Sequence, residues 1–455
     1  MSTRRSFLKS MSVVGGLGII EPLMQKSAFA SRPPRAQYMG DFAAPKLPTV
    51  KCAFIGVGAR GSGHCSDIAK IPGVNVVGIC DLYEDHAKRS VANVKGKGHE
   101  GVKAYSGGPY EYRKMLKETK PDAVFIATPW EVHAEHCIKS MKAGAHAFVE
   151  VPIALSIDEM WQLVDASEAT GRHCMMMENV NYGREELLYL NMVRQGLLGE
   201  LLHGEAAYIH SLRGQMNQVK RGTGSWRTYH YAKRNGNLYP THGLGPVAQY
   251  MNLGRGEDTF GSLVSYSSPA IGRKLYAKEK YPADHQWNKL DYKGGDMSTA
   301  IIKTHLGRTI MVQWDETSPR PYSRHNLIQG TKGTLAGFPN RIAVEGLGNA
   351  HAWAEGKDFE EKVAEYEHPL IKRLKAKVDA MGLKGHGGMD GMMRMRIIEC
   401  LQEGLPLDQN VYEGCFWSAV GPLSERSVAS NGAPQSFPDF TRGEWKNTLP
   451  LSVNI

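Results

Sequence analysis

The sequence predicts an α/β protein of two domains: a parallel, doubly wound sheet near the N-terminus, then an α/β domain with an open, mostly antiparallel sheet. Three observations carry this. Between Val50 and Glu178, short apolar runs alternate with stretches of helical pattern, the rhythm of βαβ units. After Asn179 the texture changes to longer, more polar strands that follow one another directly. The chain has 455 residues, too many for one ordinary core.

In order, the first domain (residues 49–179) reads as strand Val50–Gly56, helix Ser62–Ile71, strand Asn75–Cys80, helix Glu84–Val94 and helix Pro109–Glu118. Strand Ala123–Thr128, helix His133–Ala143, strand His146–Val151, helix Ile157–Ala169 and strand His173–Glu178 complete it. The second domain (residues 180–455) opens with helix Glu185–Gln195. Strands Leu202–His210, Asp258–Ser267, Met297–His305, Thr309–Trp314 and His325–Gln329 follow. Helices 388–403 and 411–429 are expected to pack back on the first domain.

Residues 1–30 read as an address. Thr3-Arg4-Arg5-Ser6-Phe7-Leu8-Lys9 is a twin-arginine pattern, Met11 to Ile20 is apolar, and Ala28-Phe29-Ala30 offers a small-residue cleavage site. The expectation is export of an already folded protein to the periplasm or beyond. Residues 31–48, rich in Pro, Ala and Arg, read as a linker or arm.

Hydrophobic content of 42% and charged content of 22% fit a globular chain. No later run of eighteen apolar residues predicts a membrane span. The net charge of +9 is spread along the chain without a dense basic tract or zinc-finger spacing, so nucleic acid is not an expected partner and no metal site is expected. Seven cysteines are scattered with no CxxC pair, which suits core packing rather than a disulfide scaffold. The oligomeric state stays open, a homo-oligomer included.

Gly56-Val57-Gly58-Ala59-Arg60-Gly61 is a G-x-G-x-x-G sequence that follows a strand and precedes a helix. In that context glycines let the backbone approach a pyrophosphate at a helix N-terminus. Asp81, twenty residues past Gly61 at the end of the next strand, suits an adenosine ribose diol. A carboxylate there repels a 2′-phosphate, favouring NAD over NADP.

Ala127-Thr128-Pro129-Trp130-Glu131-Val132-His133 and the segment Ala143 to Pro152, ending Glu150-Val151-Pro152, resemble the Gfo/Idh/MocA oxidoreductase family over roughly residues 50–340. The resemblance implies an N-terminal Rossmann domain. It places Ala59, Arg60, Asp81, Trp130, Glu131, Val132, His133, Glu150, Val151 and Asn179 around NAD, with the glycines Gly56, Gly58 and Gly61. For His133, a helix-start histidine without ligand contact is the alternative.

The chain departs from that family at two points. Where dehydrogenases have a Glu-Lys-Pro lysine that shuttles a proton, this chain has Val151; where they have an aspartate four residues before the histidine His242, it has Leu238. The run Gly236 to Pro246, with Tyr239-Pro240-Thr241-His242 at its centre, resembles glycoside hydrolase family 109, as do Trp226-Arg227 and the twin-arginine start. That resemblance implies cleavage of terminal α-linked N-acetylgalactosamine from a small molecule or glycan. It places Tyr208, Arg227, Tyr239, Pro240, Thr241, His242 and Tyr322 around the sugar.

It also implies a redox-neutral course: oxidation at C3 by bound NAD, loss of the C2 proton, elimination at C1, addition of water and reduction. His242 and Tyr239 are the candidates for proton transfer. Because they flank a proline, they are expected on a loop or kinked helix entry. Two other readings stand beside this one: an NAD(P)-dependent sugar dehydrogenase that keeps its cofactor, and a non-catalytic sugar-binding protein.

Overall fold

The computed structural model describes residues 37–349 and 351–453. The address at residues 1–30 and the start of the arm lie outside the described residues.

The first sheet contains β1 (Val50–Ile55), β2 (Val74–Cys80), β3 (Lys103–Tyr105), β4 (Ala123–Ile126), β5 (His146–Val149) and β6 (Cys174–Met176). Their order is β3-β2-β1-β4-β5-β6, and every pairing is parallel. The helices between them are α1 (Ala59–Ile68), α2 (Glu84–Lys95), α3 (Glu111–Thr119), α4 (His133–Lys142) and α5 (Ile157–Thr170). Strand order reverses between β1 and β4, and such a reversal opens a crevice at the carboxyl ends of the two strands. β3 escapes the sequence reading because three residues carry no periodicity.

The second domain adds α6 (Arg184–Arg194), β7 (Leu201–Ile209), α7 (Thr223–Lys233), α8 (Thr241–Tyr250), β8 (Phe260–Ser267), α9 (Gly272–Lys280), β9 (Ser298–Thr304) and β10 (Thr309–Asp315). Short strands β11 (Leu327–Gly330), β12 (Gly333–Ala336), β13 (Arg341–Val344) and β14 (Ala354–Glu355) follow, then α10 (Gly356–Val363), α11 (Pro369–Ala380), α12 (Met389–Glu403), α13 (Val411–Ala429) and β15 (Gln435–Ser436). The nine strands run β14-β13-β12-β11-β7-β10-β9-β8-β15. All pairings are antiparallel except the central one, β7 with β10. The overall class is therefore the α/β one that the sequence predicts.

α7 and α8 have no counterpart in the sequence reading. α8 carries Gly243, Gly245 and Pro246, poor helix formers. Tertiary packing overrides propensity here. A Cβ on Gly243 would lie 2.3 Å from the backbone nitrogen of Ala207, so the missing side chain lets α8 lie directly on β7.

The first sheet buries an apolar cluster on each of its faces. On one face of the first sheet, Phe54, Phe125 and Phe148 stack in series with centroids 5.4 and 5.0 Å apart. They share a buried cluster with Leu374, Met393 and Ile397 of α11 and α12. Truncating Phe125 to Ala would cost about 3–5 kcal/mol. α13 packs on α5, β6 and β8, touching both sheets. The arm runs over these helices: Met39 N donates to the Tyr412 hydroxyl at 3.2 Å and Leu47 N to Leu401 O at 3.0 Å. All seven cysteines are buried and free. Among the described residues no helix is long and apolar enough to cross a membrane.

Candidate active site

The site begins where β1 turns into α1. Gly56 has φ +81°, and a Cβ there would meet Ala127 O at 2.7 Å. A Cβ on Gly61 would fall 1.8 Å from Gly56 O. These two glycines are demanded by close backbone packing. Gly58, the N-cap of α1, is different: a Cβ there meets nothing nearer than 4.0 Å. α1 has no side-chain cap and no acid in its first turn, so its leading amides are free to bind an anion. Asp81 accepts from Val57 N at 2.7 Å and Tyr83 N at 2.9 Å, which ties the loop to the end of β2 and leaves further lone pairs for hydroxyls. This cradle fits a dinucleotide.

Beside it runs a charged ladder. Arg60 donates from Nε to Glu150 Oε1 at 2.6 Å and from Nη2 to Asp390 Oδ1 at 2.9 Å. Asn179 Nδ2 donates to the same Asp390 oxygen at 2.8 Å. Burial would raise the Glu150 carboxyl, but Arg60 and His64 more than offset it and hold it well below the usual carboxylate range. Burial pushes His64 down to about 4, so its ring is neutral, donating from Nε2 to Glu150 and accepting at Nδ1 from Arg394.

Other residues expected at the cofactor divide by role. Trp130 donates from Nε1 to Val151 O at 3.1 Å, and the Val151 side chain is buried. Trp130, Glu131 and Val132 form one 3₁₀ turn, in which Glu131 accepts from His230 Nε2 at 2.9 Å. His133 is enclosed, with Nδ1 2.8 Å from Pro152 O and Nε2 2.8 Å from Thr128 O. Its ring lies between two strand ends and leaves no free nitrogen.

The residues expected around the sugar form an aromatic wall around the start of α8, where Pro240 is the N-cap and Thr241 the first helical residue. Of the two settings expected for this proline, a loop or a helix entry, the structure has the helix entry. Tyr239 stacks on Trp130 with centroids 5.8 Å apart. The Arg227 guanidinium carbon lies 4.7 Å from the Trp130 centroid and 5.0 Å from that of Tyr239. Tyr208 touches Tyr239 at 4.9 Å and His242 at 5.1 Å; Tyr322 meets Tyr208 edge-on at 6.2 Å. Pro240 and Thr241 are buried within the turn and shape it from inside.

Three residues missed in the sequence belong here. Glu178, fully buried at the end of β6, accepts from His242 Nδ1 at 2.6 Å. Glu316, also fully buried, accepts from the Tyr231 hydroxyl and lies 3.9 Å from Arg227 Nη1. His210 packs on Tyr208 and Tyr322 at 5.7 and 5.1 Å. The two acids carried a legible signal: each follows an apolar strand at its carboxyl end, Cys174-Met175-Met176-Met177 and Ile310 to Trp314. Of the three carboxylates, none stands free: Glu178 and Glu316 are enclosed, and Glu150 is held by Arg60 and His64. Among the described residues no cluster of His, Cys, Asp or Glu could hold a metal.

Comparison with known proteins agrees with this division. Residues 50–178 match the oxidoreductase family with an NAD-binding Rossmann fold, and residues 182–447 match the C-terminal domain of glycosyl hydrolase 109. A glycosyl hydrolase family 109 protein of Akkermansia muciniphila is 64% identical over 425 residues, covering 93% of this chain and 88% of that one. The chain belongs to glycosyl hydrolase family 109. The α-N-acetylgalactosaminidase of Shewanella oneidensis is 51% identical over 457 residues, with 99% and 98% of the two chains covered. Among solved structures, levoglucosan dehydrogenase in complex with NADH and levoglucosan shares the fold at 17% identity and a TM-score of 0.65, covering 86% of this chain and all of that one. Within this family 109 chain, the Glu178–His242 pair and the Trp130–Tyr239 stack each join a residue of the NAD-binding part to one of the hydrolase part.

Proposed function

We propose that this chain hydrolyses terminal α-linked N-acetylgalactosamine and retains NAD through a redox-neutral cycle. One observation carries the reading. The sugar-side ring of Tyr239 stacks on Trp130, which is hydrogen-bonded to Val151 at the strand end where a dehydrogenase would carry its lysine. The named activity of the Shewanella relative supports the substrate. Hydrolysis by two carboxylates needs a pair flanking the scissile bond, and the three acids here are enclosed or tied.

When bound, NAD supplies a hydride acceptor for C3 of the sugar and the donor that restores it. Gly58, the α1 amides, Asp81 and Arg60 would hold it. His242, with Nδ1 committed to Glu178, has Nε2 available to accept the C2 proton. Burial raises the Tyr239 hydroxyl above its ordinary value, against the pull of Arg227, and keeps it protonated beside His242, where it can donate a hydrogen bond to the sugar and stands as the second candidate for proton transfer. Arg227 and the aromatic wall orient the ring and exclude water. Export of the folded, loaded protein by the twin-arginine route suits an enzyme that consumes no free NAD.

Purified protein should cleave p-nitrophenyl α-N-acetylgalactosaminide with no added nucleotide and no net change at 340 nm. Turnover that requires added NAD and accumulates NADH would replace this reading with a sugar dehydrogenase.

A further inference from the structure

We infer that Glu178 is the positioning residue for His242: it fixes the imidazole with its proton on Nδ1 and Nε2 presented to the sugar. This rests on the proposed function for the identity of that sugar, but the pairing itself is a property of the fold.

Four observations converge. First, Glu178 Oε1 already accepts from Val180 N at 3.2 Å, so it acts as an acceptor and His242 Nδ1, 2.6 Å away, supplies the proton. Second, the backbone of Glu178 is pinned at both ends: its N–H donates to Met176 O at 2.8 Å and its carbonyl accepts from Gln409 Nε2 at 2.9 Å. Third, α8 makes room for the carboxylate. Gly245 lies three residues past His242, on the same helix face, and a Cβ there would meet Glu178 Cγ at 3.1 Å and Asn181 Oδ1 at 2.8 Å. Fourth, the His242 ring is held edge-on by Tyr208 and Tyr239, so its second nitrogen has one direction to face. Among the described residues Nε2 has no hydrogen-bond partner.

A carboxylate at zero exposure is an expensive way to fill space. A neutral group of similar size avoids the desolvation cost of burying an ion. What a carboxylate adds is control of the tautomer and stabilisation of the imidazolium that forms when Nε2 takes a proton. A purely structural role would therefore move stability when Glu178 is neutralised, whereas a positioning role moves kcat.

The test uses the NAD-bound protein with ¹⁵N-labelled histidine. The His242 resonances are identified by their loss in His242→Gln, and long-range ¹H–¹⁵N correlations report which nitrogen carries the proton. The expected result is Nδ1 in the unmutated protein and loss of that preference in Glu178→Gln. In the same variant kcat on p-nitrophenyl α-N-acetylgalactosaminide falls on the order of 10²–10⁴-fold with KM little changed. Bound NAD and Tm stay the same, and Glu178→Asp recovers part of the loss. Gly245→Ala, whose Cβ would press on Asn181 Oδ1 and Glu178 Cγ without neutralising the carboxylate, should lower kcat in the same way, so the inference does not depend on one variant folding. A proton on Nε2 in the unmutated protein, or an undiminished kcat in Glu178→Gln, overturns it. If the tautomer shifts as expected but the unmutated protein cleaves no such glycoside, the positioning role stands and the proposed substrate falls.

Discussion

Trp130 of the NAD-binding domain and Tyr239 of the glycosyl hydrolase 109 domain stack with centroids 5.8 Å apart and planes 28° apart, and Arg227 lies against both rings. The stack brings the end of the first sheet into contact with the loop that starts α8. A cation over two aromatic faces in a desolvated setting is held more firmly than by either alone. Trp130→Phe keeps a face but loses the donor to Val151 O, so kcat/KM should fall by less than about tenfold. Trp130→Leu removes the face and should lower it by about 10–100-fold. Equal activity in the two variants, measured at matched NAD content, would mean that the rings only fill space.

His242→Ala and Tyr239→Phe should each lower kcat on the order of 10²–10⁴-fold while bound NAD is unchanged. Full activity in either would remove that residue from proton transfer. The bonds broken provide a separate check. Deuterium at C2 or at C3 of the substrate should slow turnover wherever that step limits the rate, because direct displacement at C1 breaks neither bond. An α-glycoside with hydrogen in place of the 3-hydroxyl has no alcohol to oxidise and should resist cleavage; its ready hydrolysis would end the redox route.

NAD should survive purification and be released on denaturation. Asp81→Ala removes the acceptor for Val57 N and Tyr83 N, loosening the glycine loop where an adenosine ribose would sit. The released NAD per protein should drop by about tenfold or more, whereas Tm should shift by only a few degrees, since one lost hydrogen-bonded cap costs about 1–2 kcal/mol. A variant with full NAD content would separate Asp81 from cofactor binding.

Acid should weaken the fold in two stages. Burial lowers His64, His136 and His368 to about 4, and His146 to about 3. Unfolded histidines protonate near 6.5, so between about pH 6.5 and 4 the unfolded chain binds more protons and stability falls with falling pH. Glu150 and Asp390 are held below the usual carboxylate range, with burial opposed by Arg60 and by His64 or His386. Their contribution is complete above the unfolded carboxylate values and is lost as pH drops below about 4. Thermal melts between pH 7.5 and 4.5 should show a falling Tm, and His64→Gln should reduce the pH dependence of the unfolding free energy by up to about 1.4 kcal/mol per pH unit. A flat Tm over this range would contradict the burial of these rings.

Resemblance to family 109 named most residues of the aromatic wall, whereas the residues alone announce the class of the fold and the glycine loop. Those features are local. G-x-G-x-x-G is a demand on backbone conformation at 56–61, and a parallel sheet buried on both faces writes itself as apolar runs at regular spacing. The proline in Tyr239-Pro240-Thr241-His242 narrowed that run to a loop or a helix entry, because a ring without an N–H is best tolerated where a helix begins. Only the tertiary structure decided that α8 is a helix at all. Its glycines and proline oppose helix formation in isolation, and contact with β7 through Gly243 reverses the balance. It also decided the partners of the charged groups. Glu178 and His242 lie sixty-four residues apart, and Arg60 and Asp390 lie 330 apart. Such pairs leave no periodic trace, because the energy of a buried ion depends on what the fold brings beside it and not on its neighbours in the chain. His133 shows the same division from the other side: its motif placed it near a cofactor, but both ring nitrogens are directed at main-chain carbonyls, a geometry set by the packing of two strand ends.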